Sequence, residues 1–271
     1  MERVELINKY FNDKVIKDNI HYQILLKRLK RQRLTLEEEK ILLSICEIND
    51  NNILIISDTH LGSLNENYDY LDLVYEFASK YNYHNILHGG DFMQGSCKPT
   101  IPYQNLDDQI YRVVEKYPYD KNIKNYVLLG NHDYFLVRKY NDIPSYFYSR
   151  DDIDIIGIKK VYINWYNYLI TLNHKVPKFD LDMPRVESLI NFAGHRHELS
   201  IIDNTIYIPT LSNDIKYYGT NNNYPGFLTA KIEDDNLFVE SYNIVDNKIK
   251  DNNLILKKKC NERVKVYDTS C

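Results

Sequence analysis

Apolar positions change their period near residue 50. Before it, Ile7, Phe11, Val15, Ile20, Ile24 and Leu29 recur near helical spacing and predict a helix over about residues 3–33. A second helix is predicted from Thr35 to about Ile48, because Glu38 stands three residues after Thr35 in the pattern of a capping box. Asp50-Asn51-Asn52 is a turn signal. It divides the chain into a helical extension, 1–50, and a main domain, 51–271.

Beyond that turn, short β-branched apolar runs alternate with helical stretches. Strands are predicted at 52–57, 85–88 and 126–129. Between them, Leu71, Val74, Tyr75 and Ala78 predict a helix over 68–81, and Leu106, Ile110, Val113 and Val114 another over 105–117. Strand–helix–strand–helix–strand implies parallel pairing through right-handed crossovers. After about residue 153 the texture is all-β, with runs at 153–158, 161–163, 168–172, 190–193, 200–202, 205–208, 226–232 and 237–244. Asp203-Asn204 reads as a hairpin turn. The tail offers one or two edge strands, around 254–256 and 264–267.

Composition narrows the class without naming a function. With 271 residues, 44% of them hydrophobic, the chain can bury one sizeable core. A net charge of −4 excludes a globally basic nucleic-acid binder. Cys46, Cys97, Cys260 and Cys271 form no Cys-x-x-Cys pair, so neither a zinc ribbon nor a disulfide framework is expected, and a reducing compartment fits. The first residues alternate in charge and lead into no apolar signal segment. The longest apolar runs are too short to span a bilayer, so a cytoplasmic protein without membrane contact is expected.

The chemistry lies at the ends of the predicted strands. Five segments occur in order, each after an apolar run: Asp58-Thr59-His60, Gly90-Asp91, Gly130-Asn131-His132-Asp133, His174, and Gly194-His195-Arg196-His197. In open α/β sheets, ligands bind beyond the carboxyl ends of parallel strands. Asp58, Asp91 and Asn131 would therefore bring oxygen ligands to one sheet edge. On extended backbone, Asp58 and His60, and again His195 and His197, would point the same way. Carboxylate, amide oxygen and imidazole together suit manganese, iron or zinc better than calcium or magnesium. Two such ions about 3.5–4 Å apart can activate water and clamp an in-line displacement at phosphorus. Asp91, with two oxygens and a position between the other strand ends, is the natural shared ligand.

Over residues 51–244 the set resembles the calcineurin-like metallophosphoesterase superfamily. The resemblance implies an α/β fold, a two-sheet β-sandwich flanked by helices, here with an N-terminal helical extension. It implies two divalent metal ions, with manganese favoured. Asp58, His60 and His197 would hold one together with Asp91. Asn131, His174 and His195 would hold the other with Asp91. His132 would bind no metal and would protonate the leaving oxygen. Asp133 would orient His132 and raise its pKa. Two departures stand out: Lys175 follows His174 where many relatives have glycine, and Arg196 fills a place commonly small or aliphatic.

A phosphodiester of a nucleotide or nucleic acid is the expected substrate. Asp58-Thr59-His60-Leu61-Gly62 looks like the opening of repair-exonuclease and nucleotide-phosphodiesterase members. Arg138 and Arg196 could hold phosphate, and the aromatics Tyr134, Phe135, Tyr146, Phe147 and Tyr148 a base. The chain is unlike the Ser/Thr protein phosphatases, because Asp91 leads into Phe92-Met93-Gln94-Gly95 rather than Val-Asp-Arg-Gly. Phosphomonoester hydrolysis and a catalytically weak metal-binding interaction module are the alternatives. The basic run 27–33 is either a solvated helix end or a contact for nucleic acid, and the helical extension offers a surface for a partner or a second subunit.

Overall fold

A computed structural model describes residues 46–95, 106–133, 150–174, 188–213 and 224–260, with 23, 24, 27, 32–35 and 38. Thirteen strands and two long helices are among them. In chain order they are β1 (Glu47–Ile48), β2 (Asn52–Ile56), α1 (Tyr68–Lys80), β3 (Asn85–His88), α2 (Leu106–Lys116), β4 (Lys124–Leu129), β5 (Ile153–Ile158), β6 (Lys160–Trp165), β7 (Tyr168–Asn173), β8 (Asn191–Ala193), β9 (Ser200–Ile202), β10 (Thr205–Tyr207), β11 (Gly226–Glu233), β12 (Asn236–Val245) and β13 (Lys248–Lys259).

The strands run in the order β13-β12-β11-β2-β3-β4-β5-β6-β7-β8-β10-β9. β5 and β6 meet only at Ile158 and Lys160, beside Lys159 at φ 64°. There the sheet folds over, and β6 to β10 become a second layer. Strands β2 to β5 are parallel, as the alternation of strand and helix requires, and β11 joins β2 antiparallel.

Period-two alternation assigns each side chain of β2 to a layer. Ile53 and Ile55 face the second sheet and pack with Ile163, Trp165, Ile170, Leu172 and Phe192. Leu54 and Ile56 face the helices and pack with Leu71, Val74 and Ala78 of α1 and Ile110 and Val113 of α2. The result is the expected α/β sandwich. Among the described residues, no helix is long and apolar enough to cross a membrane.

Near the chain's start the expectations divide. The capping box forms, with Thr35 N–H donating to Glu38 Oε2 at 2.9 Å and Glu38 N–H to Thr35 Oγ1 at 3.2 Å. The helix it opens does not reach Ile48. Glu47 and Ile48 instead pair in parallel with Asn164 and Trp165 of β6. Cys46 and Ile48 are buried and Glu47 is exposed, a period-two signal too short to recognise in isolation. Gln23, Ile24 and Lys27 are helical, and Ile24 is buried against the helix-side core. The remainder of the predicted 3–33 helix lies outside the described residues. At the far end, β13 is twelve residues long rather than the short run at 254–256, because Asp251-Asn252-Asn253 hid its start. Its lysines suit an edge strand, where charge opposes pairing with other chains. The predicted 264–267 strand falls outside the described residues.

Ile55→Ala should cost about 2–5 kcal/mol, the usual range for emptying a close-packed core position. Urea unfolding measures it; a loss under about 1 kcal/mol would show that the two layers do not close on this residue.

Candidate metal centre

Each ligand segment begins where a strand ends. Asp58 follows β2, Asp91 follows β3, Asn131 follows β4, His174 follows β7, and His195 and His197 follow β8. The first two loops continue side by side past their strands. Asp58 N–H donates to Gly90 O, His60 N–H to Asp91 O and Leu61 N–H to Phe92 O, each at 3.0 Å. The backbone is not extended there, contrary to the two-apart expectation. Asp58, His60, Asp91, His195 and His197 all have positive φ, from 45° to 77°. Left-handed backbone in non-glycine residues is strained and clusters at functional sites. The side chains converge through these kinks rather than through strand pleating.

Three groups result, one of them His60, Asp91 and His132 and the other two matching the expected metal sites. Asp58, His60 and His197 bring their ligand atoms within 4.8 Å of one another, and Asp91, His174 and His195 do the same. Asp91 lies between them: Oδ2 is 2.9 Å from His174 Nε2 and 4.0 Å from His60 Nε2. Asn131 Oδ1 joins the second cluster, 3.1 Å from His174 Nε2. All seven expected ligand residues are thus described, and His174 is wholly buried among them despite the lysine that follows it.

The donor chemistry fits cations. His174 Nδ1 faces Gly89 O at 2.9 Å and His60 Nδ1 faces Gln94 Oε1 at 3.0 Å. A carbonyl oxygen only accepts, so each Nδ1 carries a proton and each Nε2 is the atom turned to the cluster, which binds a metal once the ring is neutral. His60 Nε2 points at His197 Nε2, 3.1 Å away. Asp58 Oδ1 is buried and accepts no hydrogen bond from the described residues. An ion held by Asp58, His60 and His197 would satisfy these atoms together.

Electrostatics keep both carboxylates charged. Burial opposes ionisation of Asp58, but the His197, His174 and His60 rings hold its pKa below the usual range. Burial likewise opposes Asp91, and His174 and His60 win there too. Burial disfavours a charged His174, yet the neighbouring Asp91 carboxylate lifts its pKa to about 9. For His60 burial prevails and lowers it to about 4.

The ring of His132 is placed by a group that motif reading did not single out. Its Nδ1 donates to Gln94 O at 2.8 Å, while its backbone N–H donates to Asp91 Oδ1 at 2.7 Å. Asp133, the expected partner of that ring, is engaged elsewhere. Its carboxylate accepts the backbone N–H groups of Phe92, Met93 and Gly130 at 2.8–3.1 Å, tying the loop after β3 to the loop after β4. Burial, with Asp91 nearby, raises its pKa to about 6. Gln94 supplies both contacts to histidines, its amide to His60 and its carbonyl to His132; only its place three residues after Asp91 marks it in the sequence. Ser57 and Thr210 were also missed: Ser57 Oγ donates to Asp58 Oδ2 at 2.6 Å, and Thr210 Oγ1 to Asp58 O at 2.8 Å.

His88 is buried beneath the centre. Gly90 N–H donates to its Nδ1 at 3.2 Å, and its Nε2 meets Thr59 Oγ1 at 3.0 Å. The Arg196 guanidinium lies 4.1 Å over the ring of Tyr207, a cation–π contact. Arg138 and the aromatics at 134–148 lie outside the described residues.

A Cβ on Gly130 would lie 2.2 Å from Asp91 Oδ1, so Gly130→Ala should weaken metal retention at least about tenfold without unfolding the protein. Metal analysis beside circular dichroism checks this. Burial lowers the His88 pKa to about 3, from 6.5 when unfolded. The unfolded state therefore takes up the proton first, and stability that is full above pH 6.5 falls as pH drops toward 3. In chelated protein, His88→Gln should remove part of that fall, on the order of a few kcal/mol by denaturant unfolding. Identical pH slopes for the two proteins would contradict it.

Vps29 of Entamoeba histolytica, complexed with zinc, is similar at 16% identity, covering 78% of this chain and 99% of its own, with a TM-score of 0.44. Vacuolar Protein Sorting 29 of Cryptosporidium parvum is similar at 14% identity, with coverages of 77% and 98% and a TM-score of 0.46. The Pseudomonas putida nuclease MPE is similar at 14% identity, with coverages of 72% and 90% and a TM-score of 0.38. No curated protein matches. The family model for calcineurin-like phosphoesterases matches residues 52–249, which span β2 to β12 and every ligand segment. The chain belongs to the calcineurin-like phosphoesterase family.

Proposed function

We propose that the chain is a two-metal phosphoesterase acting on phosphodiesters of nucleotides or nucleic acid. The position of Asp91 carries this reading: one buried carboxylate lies within 4.0 Å of an imidazole nitrogen in each of two ligand clusters. Asp58, His60 and His197 would hold one ion and Asn131, His174 and His195 the other, with Asp91 shared. When bound, such a pair lowers the pKa of water and draws charge from the phosphoryl oxygens. Manganese is our choice of metal on ligand chemistry, with iron or zinc also compatible.

His132 is the residue to protonate the leaving oxygen. Its side chain is 27% exposed, against 6% for His60, 0% for His174 and 11% for His197. Among these rings it is the one that substrate reaches most readily. With Nδ1–H committed to Gln94 O, its Nε2 is the atom that can hand over a proton. Asp133 serves this chemistry indirectly, by holding the loops on which Asp91 and His132 stand. Arg196, stacked on Tyr207, is a preorganised cation beside the two histidines and a partner for phosphate oxygens. The diester preference is supported by the Asp58–Gly62 segment. The division at residue 50 is our domain reading, with β1 anchoring the extension to the second layer.

Asp91→Ala should lose both metals. His132→Ala should keep them and lose about 10²–10⁴ in turnover. Metal content and steady-state rates with added manganese decide. A panel of aryl monoester, aryl diester, cyclic nucleotides and single- and double-stranded DNA tests the substrate class. Faster turnover of the monoester would move the reading to a phosphomonoesterase. Absence of both metal and turnover would make it an interaction module.

A further inference from the structure

Gln109 of α2 is fully buried, although a long amide on a helix facing an apolar core is costly unless its hydrogen bonds are made. Two of its bonds go to Gly95. Gly95 N–H donates to Gln109 Oε1 at 3.0 Å, and Gln109 Nε2 donates to Gly95 O at 3.2 Å. The stem fits equally closely, since a Cβ on Gly62 would lie 2.2 Å from Gln109 Cγ. One side chain therefore joins the loop after β2 to the loop after β3.

The N–H of Gly95 and the carbonyl of Gln94 belong to the same peptide unit, which is planar and rigid. Gln94 O is the group that receives His132 Nδ1–H. Holding the N–H on one side of that plane fixes where the carbonyl points on the other. The series Gln109 Oε1, Gly95 N–H, Gln94 C=O and His132 Nδ1–H is continuous, and such chains polarise one another. The neighbouring anchors leave this duty open. Asp133 holds Phe92 and Met93, and Gln94 N–H donates to Leu61 O at 2.8 Å.

We propose that Gln109 is a positioning residue for His132, acting through the Gln94–Gly95 peptide plane. This rests on His132 being the general acid, so the experiment separates the two. Gln109→Met keeps the stem and removes the amide. Gln109→Glu, protonated in this buried place, keeps an acceptor for Gly95 N–H and a donor for Gly95 O. Each is made alone and with His132→Ala, and each is assayed with manganese on a 4-nitrophenyl diester and on a dinucleotide, whose leaving group is poor.

Gln109→Met should keep its metal and its KM and lose about 10–100-fold in kcat on the dinucleotide, but less than about threefold on the aryl diester, the pattern of a displaced acid. In the His132→Ala background it should cost nothing further, because two residues acting as one unit are not additive. Gln109→Glu should stay within about threefold of the parent on the dinucleotide, and it decides the matter should Gln109→Met fail to fold. Equal losses on both substrates, loss of metal, an undiminished penalty beside His132→Ala, or a Glu variant as slow as His132→Ala would overturn the proposal. If His132→Ala itself shows no leaving-group dependence, the general-acid reading falls, and this inference with it.

Discussion

Two carboxylates, Asp58 and Asp91, are buried within a few ångströms of five imidazole rings, and the surrounding structure answers to that burial. An ionised carboxylate out of water is costly unless positive charge and hydrogen-bond donors are brought to it. Asp58 has Ser57 Oγ and the His195 N–H on one oxygen. Asp91 has the His132 N–H on one oxygen and the His174 ring at the other. Packing this many groups into one volume forces left-handed backbone at five of the residues involved. It also excludes any side chain at Gly194, where a Cβ would meet Ser57 Oγ at 2.2 Å.

The folded-over sheet explains how the groups arrive. Neither half of the centre is built from one layer. Asp58 and His60 leave the first layer and meet His197 from the second; Asp91 and Asn131 leave the first and meet His174 and His195 from the second. An ion held by both layers, as proposed, would link metal affinity to closure of the sandwich by stabilising the folded chain over the unfolded one. The helices complete the frame from the opposite face. Their apolar residues cover β2 to β4, and Gln109 reaches past that core to the loops that carry the chemistry.

Much of this was legible in the sequence because it is local. The strands at β2, β3 and β5 and the helix α1 follow from apolar runs and from period. The residues that converge at the strand ends were legible because the motif names their types and order. What stayed hidden depends on contacts between distant segments. Glu47–Ile48 has no strand signal of its own and becomes one only beside β6. Asp133 follows His132 directly, which invited a pairing between them, but its carboxylate turns toward three backbone N–H groups. Gln94 carries no chemical label and acts largely through its backbone carbonyl, which every residue possesses.

In the proposed centre one carboxylate, Asp91, is shared by two metal ions. Electron paramagnetic resonance of the manganese-loaded protein tests it directly. The parent protein should give the exchange-coupled signal of a dinuclear pair. Signals of isolated, uncoupled manganese at full occupancy would contradict it, because ions bridged by one carboxylate cannot ignore each other's spin.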